Sequence, residues 1–373
     1  LQHDNELSGK SLVFQGLPLP VPLFAHNIHM SVLLTRGVVP RYFKEISMKK
    51  SLIALAILGS VAGAAQAQST VTLYGIADVW VGSQKTGLAG SSTTLVGSGG
   101  FNGSRFGLTG SEDLGGGLKA VFKLEQGFNI DTGTQSVAGS AFGRQAYVGL
   151  AGGFGTVTFG NVWSSMDDVI GAGNGAFDSA FSPLYSMTGS VHNTYVDRPQ
   201  NAIKYASPSF GGFSGSFTYG LDENSAVSQD VVDFQVGYGA GPVGVSLAYQ
   251  VSNNTTDTKR TLLNGSYDLG VAKLLATYGQ VKTGAAKTTD VQFGVDVPLS
   301  SALTLSGSYA QSKDNASTVP ADGKRTGFGI AAKYALSKRT FTYVGLRNVD
   351  SKDAAGTKID KSRLYAAGLQ HSF

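Results

Sequence analysis

From Val71 to Phe373 apolar and polar residues alternate in about sixteen segments of roughly 8–12 residues, and little of the chain shows a helical period. Between 243 and 251, Val243, Val245, Leu247, Tyr249 and Val251 form one face and Gly244, Ser246, Ala248 and Gln250 the other. Val291, Phe293, Val295 and Val297 oppose Gln292, Gly294 and Asp296, and Leu303, Leu305 and Tyr309 oppose Thr304, Ser306 and Ser308. A period of two places successive side chains on opposite faces of a strand, so the chain reads as strand after strand.

The connections alternate too. Seven are short: Glu112–Gly117, Ala151–Phe154, Pro208–Gly212, Ala240–Pro242, Asp268–Val271, Pro298–Ser301 and Leu336–Lys338. Eight longer polar stretches lie near 83–101, 129–142, 163–199, 221–230, 252–258, 283–288, 313–323 and 350–361. Eight long loops and seven turns join sixteen strands with both chain ends on the short-turn side. The pattern predicts an all-β fold: a 16-stranded antiparallel transmembrane β-barrel with short periplasmic turns and long extracellular loops. A water-soluble sandwich also alternates. Against it stand segment lengths near those of tilted membrane strands. Two candidate aromatic girdles point the same way: Tyr219, Tyr249, Tyr278 and Tyr309 at outer strand ends, and Tyr238, Tyr267, Tyr334 and Phe373 at inner ends. The polar faces of Lys, Asp, Gln, Ser and Thr suit a wet lumen better than a dry core.

Unpaired backbone in hydrocarbon costs several kcal/mol, so the sheet has to close, with 362–373 pairing to 71–82. Sixteen strands about 4.8 Å apart and tilted about 40–45° enclose roughly 30 Å, too wide for side chains to fill. The stretch Trp163 to Pro199 is too long for an ordinary connection. Its glycines 171, 173, 175 and 189 permit tight folding, and two readings stand: a loop folded inward to narrow the pore, or an external flap.

Met48-Lys49-Lys50, the apolar run Leu52–Gly59 and Ala65-Gln66-Ala67 form a secretory signal peptide over 48–67, with cleavage after Ala67. The apolar core is about half the length a spanning helix requires. Residues 1–47 precede a complete signal and form an upstream extension expected not to belong to the protein; the domain proper is 68–373. Residues 1–67 hold six of the 29 basic and three of the 25 acidic residues, leaving 23 against 22, or net +1, beyond them. Nucleic acid is a poor partner for so neutral a chain with scattered cations. The 14% of charged residues is low for an ordinary soluble enzyme, and with no Cys there is neither disulfide framework nor thiolate metal site.

Val71-Thr72-Leu73-Tyr74-Gly75, Ser104–Leu108, Gly110–Ala120 and Arg144–Leu150 resemble the general diffusion porins of Gram-negative outer membranes, the beta-proteobacterial branch in particular. Phe154–Val157, Tyr205–Pro208, Tyr334–Thr340 and the ending Gly368–Phe373 extend the resemblance across 68–373. It implies a homotrimer of barrels in the cell outer membrane, each with a third loop folded into the lumen. It also implies acidic loop residues facing basic wall residues. Carried over, Arg105 and Arg144 are wall candidates with Lys123 and Glu125, and Asp167, Asp168 and Asp178 are loop candidates. Alternation turns Arg105 inward but leaves Arg144 ambiguous, since Ala146 and Val148 share its parity. Lys119, Lys204 and Asp78 are further inward candidates; for each charge a solvated surface position is the alternative. After Gly160, where many relatives carry an Arg, Asn161-Val162 follows, which removes one wall cation. Tyr365, Ala367, Leu369, His371 and terminal Phe373, spaced by two, fit the family's assembly signal for the barrel-insertion machinery.

Such a pore would pass small hydrophilic solutes and ions by passive diffusion and needs no cofactor; its partners would be its own copies, outer-membrane lipid and lipopolysaccharide. A substrate-specific channel, an adhesin or receptor barrel, and an outer-membrane hydrolase are the alternatives. Catalysis finds little support: beyond residue 67 only His192 and His371 remain, and no Gly-x-Ser-x-Gly or His-Glu-x-x-His accompanies His192 near Asp178 or Asp197. Gly171–Gly175 lacks the Lys and the strand–turn–helix setting of a phosphate loop. Trp80 and Trp163 read as packing or interface aromatics.

Overall fold

The computed structural model describes residues 70–223, 230–253, 256–315 and 323–373. The upstream residues 1–47 and the signal segment 48–67, with Ala65 and Ala67, lie outside the described residues. Seventeen strand segments form one antiparallel sheet that closes on itself. The first nine are β1 (Thr70–Thr86), β2 (Thr93–Ser98), β3 (Arg105–Gly115), β4 (Leu118–Gly127), β5 (Gln145–Gly152), β6 (Gly155–Asn161), β7 (Ala202–Ala206), β8 (Phe213–Gly220) and β9 (Val231–Ala240). The rest are β10 (Val243–Ser252), β11 (Thr258–Asp268), β12 (Lys273–Thr283), β13 (Ala286–Pro298), β14 (Leu303–Asp314), β15 (Lys324–Ala335), β16 (Thr340–Lys352) and β17 (Lys358–Ser372). Val79 of β1 stands opposite Ser98 of β2, and Ile76 opposite Arg105 of β3. β2 and β3 are therefore two halves of one stave, and the barrel has sixteen.

Alternation sorts the two faces as expected, with the soluble arrangement inverted. Val148, Phe293, Tyr309 and Tyr365 are 60%, 62%, 53% and 52% exposed, while their neighbours Gln292, Ser308 and Leu364 are buried. Apolar side chains face outward and polar ones line the interior, the arrangement a lipid-facing barrel requires. Tyr278, Tyr309, Tyr238, Tyr267, Tyr334 and Phe373 are exposed at the strand ends, with Tyr219 and Tyr249 half-buried.

β17 closes the barrel on β1, but four residues out of the expected alignment: Ile76 to Thr86 lie opposite Ser372 to Ser362. The displacement lets the chain end dock low on β1, where Gly75 and Phe373 exchange backbone hydrogen bonds at 3.0 and 3.1 Å. A Cβ on Gly75 would overlap the Phe373 ring, so glycine makes room for the terminal aromatic. A second departure is at 283–288, expected as a long loop. Hydrogen bonding continues through it, and β12 and β13 join by a two-residue turn at Gly284-Ala285. Gly284 takes φ of 57°, a left-handed value that suits glycine at such a turn.

The break in the second stave has a cause at Asp78. Six residues, Gly99 to Ser104, stand where β1 offers only Ala77 and Asp78, so the surplus chain folds inward. Fully buried Asp78 accepts the N–H groups of Gly100, Phe101 and Asn102 at 2.9–3.0 Å and the hydroxyl of Tyr343 at 2.5 Å.

Residues 162–201 join β6 to β7, and this third long loop lies against the inner wall. Its neck is closed by Val162 N–H to Pro199 O (3.3 Å) and Ser164 N–H to Asp197 O (2.9 Å). From there Asp233 of β9 accepts Ser165 N–H (2.8 Å), Asn264 of β11 donates to Val169 O (2.6 Å), and Gln292 of β13 donates to Asn174 Oδ1 (2.6 Å). Arg347 of β16 donates to Ala180 O, and on the return Asp290 of β13 accepts Val191 N–H (2.7 Å). Each of these strand residues alternates with lipid-facing neighbours such as Phe234, Leu263, Phe293 and Val344, which places the loop inside the barrel. Irregular backbone survives at membrane depth only when its polar groups find such partners.

The loop's far end packs into an aromatic cluster: Phe101 lies 5.1 Å from Phe177 and from Phe341 and 4.7 Å from Tyr343, with Phe181 and Trp80 in the same apolar core. Ala176, Phe177 and Asp178 run consecutively at φ of 55°, 62° and 50°, each costing on the order of 1–3 kcal/mol that the packing around them must offset. Trp80 is thus an interior packing residue.

Two outcomes follow from this packing. Asp78→Ala leaves three N–H groups and a tyrosine hydroxyl without their acceptor and should destabilise the barrel by about 2–4 kcal/mol, read by urea unfolding in lipid vesicles. A Cβ on Gly329 would collide with Phe181 O. Gly329→Leu should therefore unseat the loop and raise single-channel conductance; an unchanged conductance would show that the loop does not narrow the pore.

Candidate functional site

The inner edge of the third loop faces the wall of β3 to β7 across a polar cleft, lined by Tyr147, Thr158 and Lys204 on the wall and by Trp163 and Asp168 on the loop. On the wall, Glu125 of β4 is the organising group. It accepts Tyr74 Oη–H at 2.7 Å and Arg144 Nε–H at 2.8 Å, and its Oε2 lies 3.6 Å from Arg105 Nε. Its side chain is 3% exposed against 17% for Arg105 and 12% for Arg144, so the guanidiniums cover the carboxylate and present the charge.

Alternation brings Arg105 inward, since Phe106 and Leu108 are exposed on the other face. Arg144 precedes β5, so the strand's parity does not bind it; it reaches Glu125 while Val148 faces out. Lys123 lies two residues along from Glu125, its ammonium 5.6 Å over the Tyr74 ring, which directs it to the same side.

The three loop aspartates divide. Asp168 forms an ion pair with Lys204 of β7 at 2.6 Å and accepts Ser216 Oγ–H at 2.7 Å. Asp167 accepts Tyr195 Oη–H at 2.6 Å, and burial pushes its pKa up to about 6 against that bond and the nearby Arg198. Asp178 turns away from the wall: it accepts Asn174 Nδ2–H at 2.5 Å and a hydrogen bond from Tyr185, and burial raises its pKa. Its place is inside the loop's own fold. His192 meets neither Asp178 nor Asp197; its ring nitrogen lies 2.6 Å from Asn174 Nδ2 and 2.9 Å from Ile170 O. Burial holds its pKa down to about 4, so the ring is neutral near pH 7.

Arg198, on the loop's return, completes the cluster. It pairs with Asp197 and lies within electrostatic reach of Arg105 and Asp167. It is the only Lys or Arg in 163–199, a signal available in the sequence and overlooked there. A third guanidinium thus reaches the cleft from the loop, although none follows Gly160. Tyr74 and Tyr147, which line the same wall, left no signal apart from strand parity.

At the chain end Tyr365, Leu369 and His371 alternate on the exposed outer face of β17, and exposed Phe373 follows it in the same spacing.

A closed barrel with apolar exterior, polar interior, an inserted loop and charges of both signs across the remaining gap is a membrane-spanning channel. The profile of the Gram-negative porin family matches residues 54–354. Outer membrane porin protein 32 of Delftia acidovorans is 36% identical over 345 residues, covering 87% of this chain and 95% of that protein. An outer membrane porin protein of Bordetella pertussis is 32% identical over 392 residues, covering 87% of this chain and 100% of that protein. Among solved structures, the anion-selective porin from Comamonas acidovorans superposes with a TM-score of 0.68 at 29% identity, over 82% of this chain and all of that one. OmpT of Vibrio cholerae, 18% identical with a TM-score of 0.64, shares the fold. The chain belongs to the Gram-negative porin family, a family of channels, and it is an outer-membrane porin for passive diffusion of solutes.

The Asp167 shift sets a pH dependence. A carboxylate whose pKa lies at about 6 is charged above that pH and neutral below it, so acidification removes one negative charge beside Arg198. The zero-current potential in a KCl gradient should move toward anion preference between pH 7.5 and 5. In Asp167→Asn that step should be absent.

Proposed function

We propose that this porin works as a homotrimer of general diffusion channels whose permeability is set at the gap between the third loop and the wall of β3 to β7, with a mild preference for anions. The observation that carries the reading is Arg105 and Arg144 lying side by side over the single buried carboxylate of Glu125. With Arg198, Lys123 and Lys204 added, cations at the gap narrowly outnumber Glu125, Asp167, Asp168 and Asp197. The name of the Comamonas relative, an anion-selective porin, supports the same sign. Fixed charges act over about 8 Å at physiological salt, so only those at the narrowing sort ions.

A solute entering the gap meets guanidiniums on one side and the loop's carboxylates on the other. Water and dipolar solutes align in that transverse field; an apolar solute must displace the aligned water and find no compensating contact. Small hydrophilic solutes are the favoured class. The chain is exported by the signal at 48–67 and processed after Ala67. Tyr365, Leu369, His371 and Phe373 present the assembly signal to the insertion machinery, and the barrel's exterior contacts lipid and lipopolysaccharide.

The test is planar-bilayer recording of the protein extracted from outer membranes. Conductance steps closing in threes and an anion-side zero-current potential are expected. Replacing Arg105, Arg144 and Arg198 by Gln should move that potential toward cations by on the order of 10–30 mV in a tenfold gradient, whose limit is about 59 mV. A folded barrel without conductance would favour the adhesin or receptor instead. Saturable flux of one solute class would favour a substrate-specific channel.

A further inference from the structure

The outward faces of the strands carry basic residues in a pattern that neither the pore nor the closure of the barrel uses. On β2 to β10 every Lys and Arg, namely Arg105, Lys119, Lys123 and Lys204, falls on the inward parity. On β11 to β16 the outward parity of each strand ends, at the long-loop end, in a lysine. Their registers make them neighbours: Lys282 stands directly opposite Lys259 on one side and Lys287 on the other. Likewise Lys324 stands directly opposite Lys313 and Lys352. The row continues across the seam, where Arg363 of β17 lies opposite Lys85 of β1.

Like charges directly opposite in a sheet repel, so these two trios are unfavourable as they stand. None of the six lysines has a carboxylate oxygen within ion-pair distance among the described residues. A rim that served only solubility would mix both signs and surround the whole barrel. This one is basic apart from Asp350 of β16, which Lys358 holds in an ion pair, and it is confined to the sector from β11 through the seam to β1.

Its height on the wall identifies the occupant. On three of these strands the lysine lies, on the same face, four positions from an exposed aromatic, Lys282 from Tyr278, Lys313 from Tyr309 and Lys324 from Phe328, and Lys259 and Lys287 lie as far from the apolar Leu263 and Val291. Four residues of strand span about 13 Å, less when tilted, so the ammonium groups stand just above the aromatic boundary of the apolar band. Phosphates of a lipid whose acyl chains cover that band would lie at this level. Spacing of about 4.8 Å between strands lets one phosphate meet two ammonium groups, which turns repulsion into shared charge-assisted contact.

We propose that the lysines of β11 to β16 form a binding row for the phosphorylated glycolipid headgroups of the outer leaflet, so that one sector of the barrel carries bound lipopolysaccharide and β2 to β10 do not. The inference rests on the outer-membrane placement and gives residues to the lipopolysaccharide contact of the proposed function.

The test uses protein extracted from outer membranes, with native mass spectrometry counting bound bisphosphorylated lipid A in detergent. Wild type should retain it, and a variant with Lys282, Lys287, Lys313 and Lys324 all replaced by Gln should bind on the order of tenfold more weakly. The same four positions as Arg should restore binding, and fully dephosphorylated lipid A should not be retained. Equal retention by wild type and the Gln variant, or equal retention of dephosphorylated lipid A, would overturn the proposal. So would complete displacement by millimolar inorganic phosphate, which would mark a small-anion site. Conductance in the same preparations reports on the porin reading separately and should be unchanged in the Gln variant. Should that variant fail to fold, the Arg variant and the dephosphorylated lipid decide the matter.

Discussion

Hydrocarbon offers no hydrogen-bond partner to a peptide group, and this prohibition shapes every other feature of the chain. It forces β17 onto β1, fixes the antiparallel ladder, and turns the apolar residues outward, where a soluble protein would hide them. The seam shows how tightly the demand is met: the last residue of the chain is still paired, backbone to backbone, with Gly75. Even the surplus chain at Gly99–Ser104, which cannot join the ladder, surrenders its N–H groups to a buried aspartate.

The same rule explains why the lumen wall is built from Asn, Gln, Ser and Asp. These side chains do two jobs. Where the third loop passes, they supply the partners its irregular backbone lacks, as Asp233, Asn264, Asp290 and Gln292 do. Where it does not pass, the wall stays wet. Charge is distributed by the same division: Asp178 and His192 sit within the loop's own fold, whereas Arg105, Arg144, Arg198, Lys204 and Asp168 surround the cleft.

The strands were legible because lipid on one side and water on the other impose a period of two that no local preference blurs. Their ends were less so. At 283–288 polar Thr and Lys residues read as loop, yet polar residues are at home on strands that rise beyond the apolar band, and the ladder runs on to Gly284-Ala285. The split of the second stave depends on Asp78 meeting three peptide groups distant in sequence, which no periodicity encodes. Arg105 followed from its strand parity. Arg144 and Asp178 did not, because neither lies in regular alternation: one precedes its strand and the other belongs to a left-handed turn. Arg198 was readable as the lone cation of a long loop, but its approach to Arg105 depends on the loop's path through three dimensions.

That path ties the loop's docking to the order of events in folding. The loop's far end rests on Gly100 of the first loop and on Phe341, Tyr343 and Arg347 of β16, and Trp80, Leu364 and Ala366 from the two seam strands share its apolar cluster. These supports come from opposite ends of the chain, and most are absent until the final strands arrive. The inserted loop is emitted before half the wall exists, and its far end must wait for a seat assembled last. A barrel with an unfinished seam therefore also lacks most of the seat for its inner loop, so a docked loop certifies a completed ring.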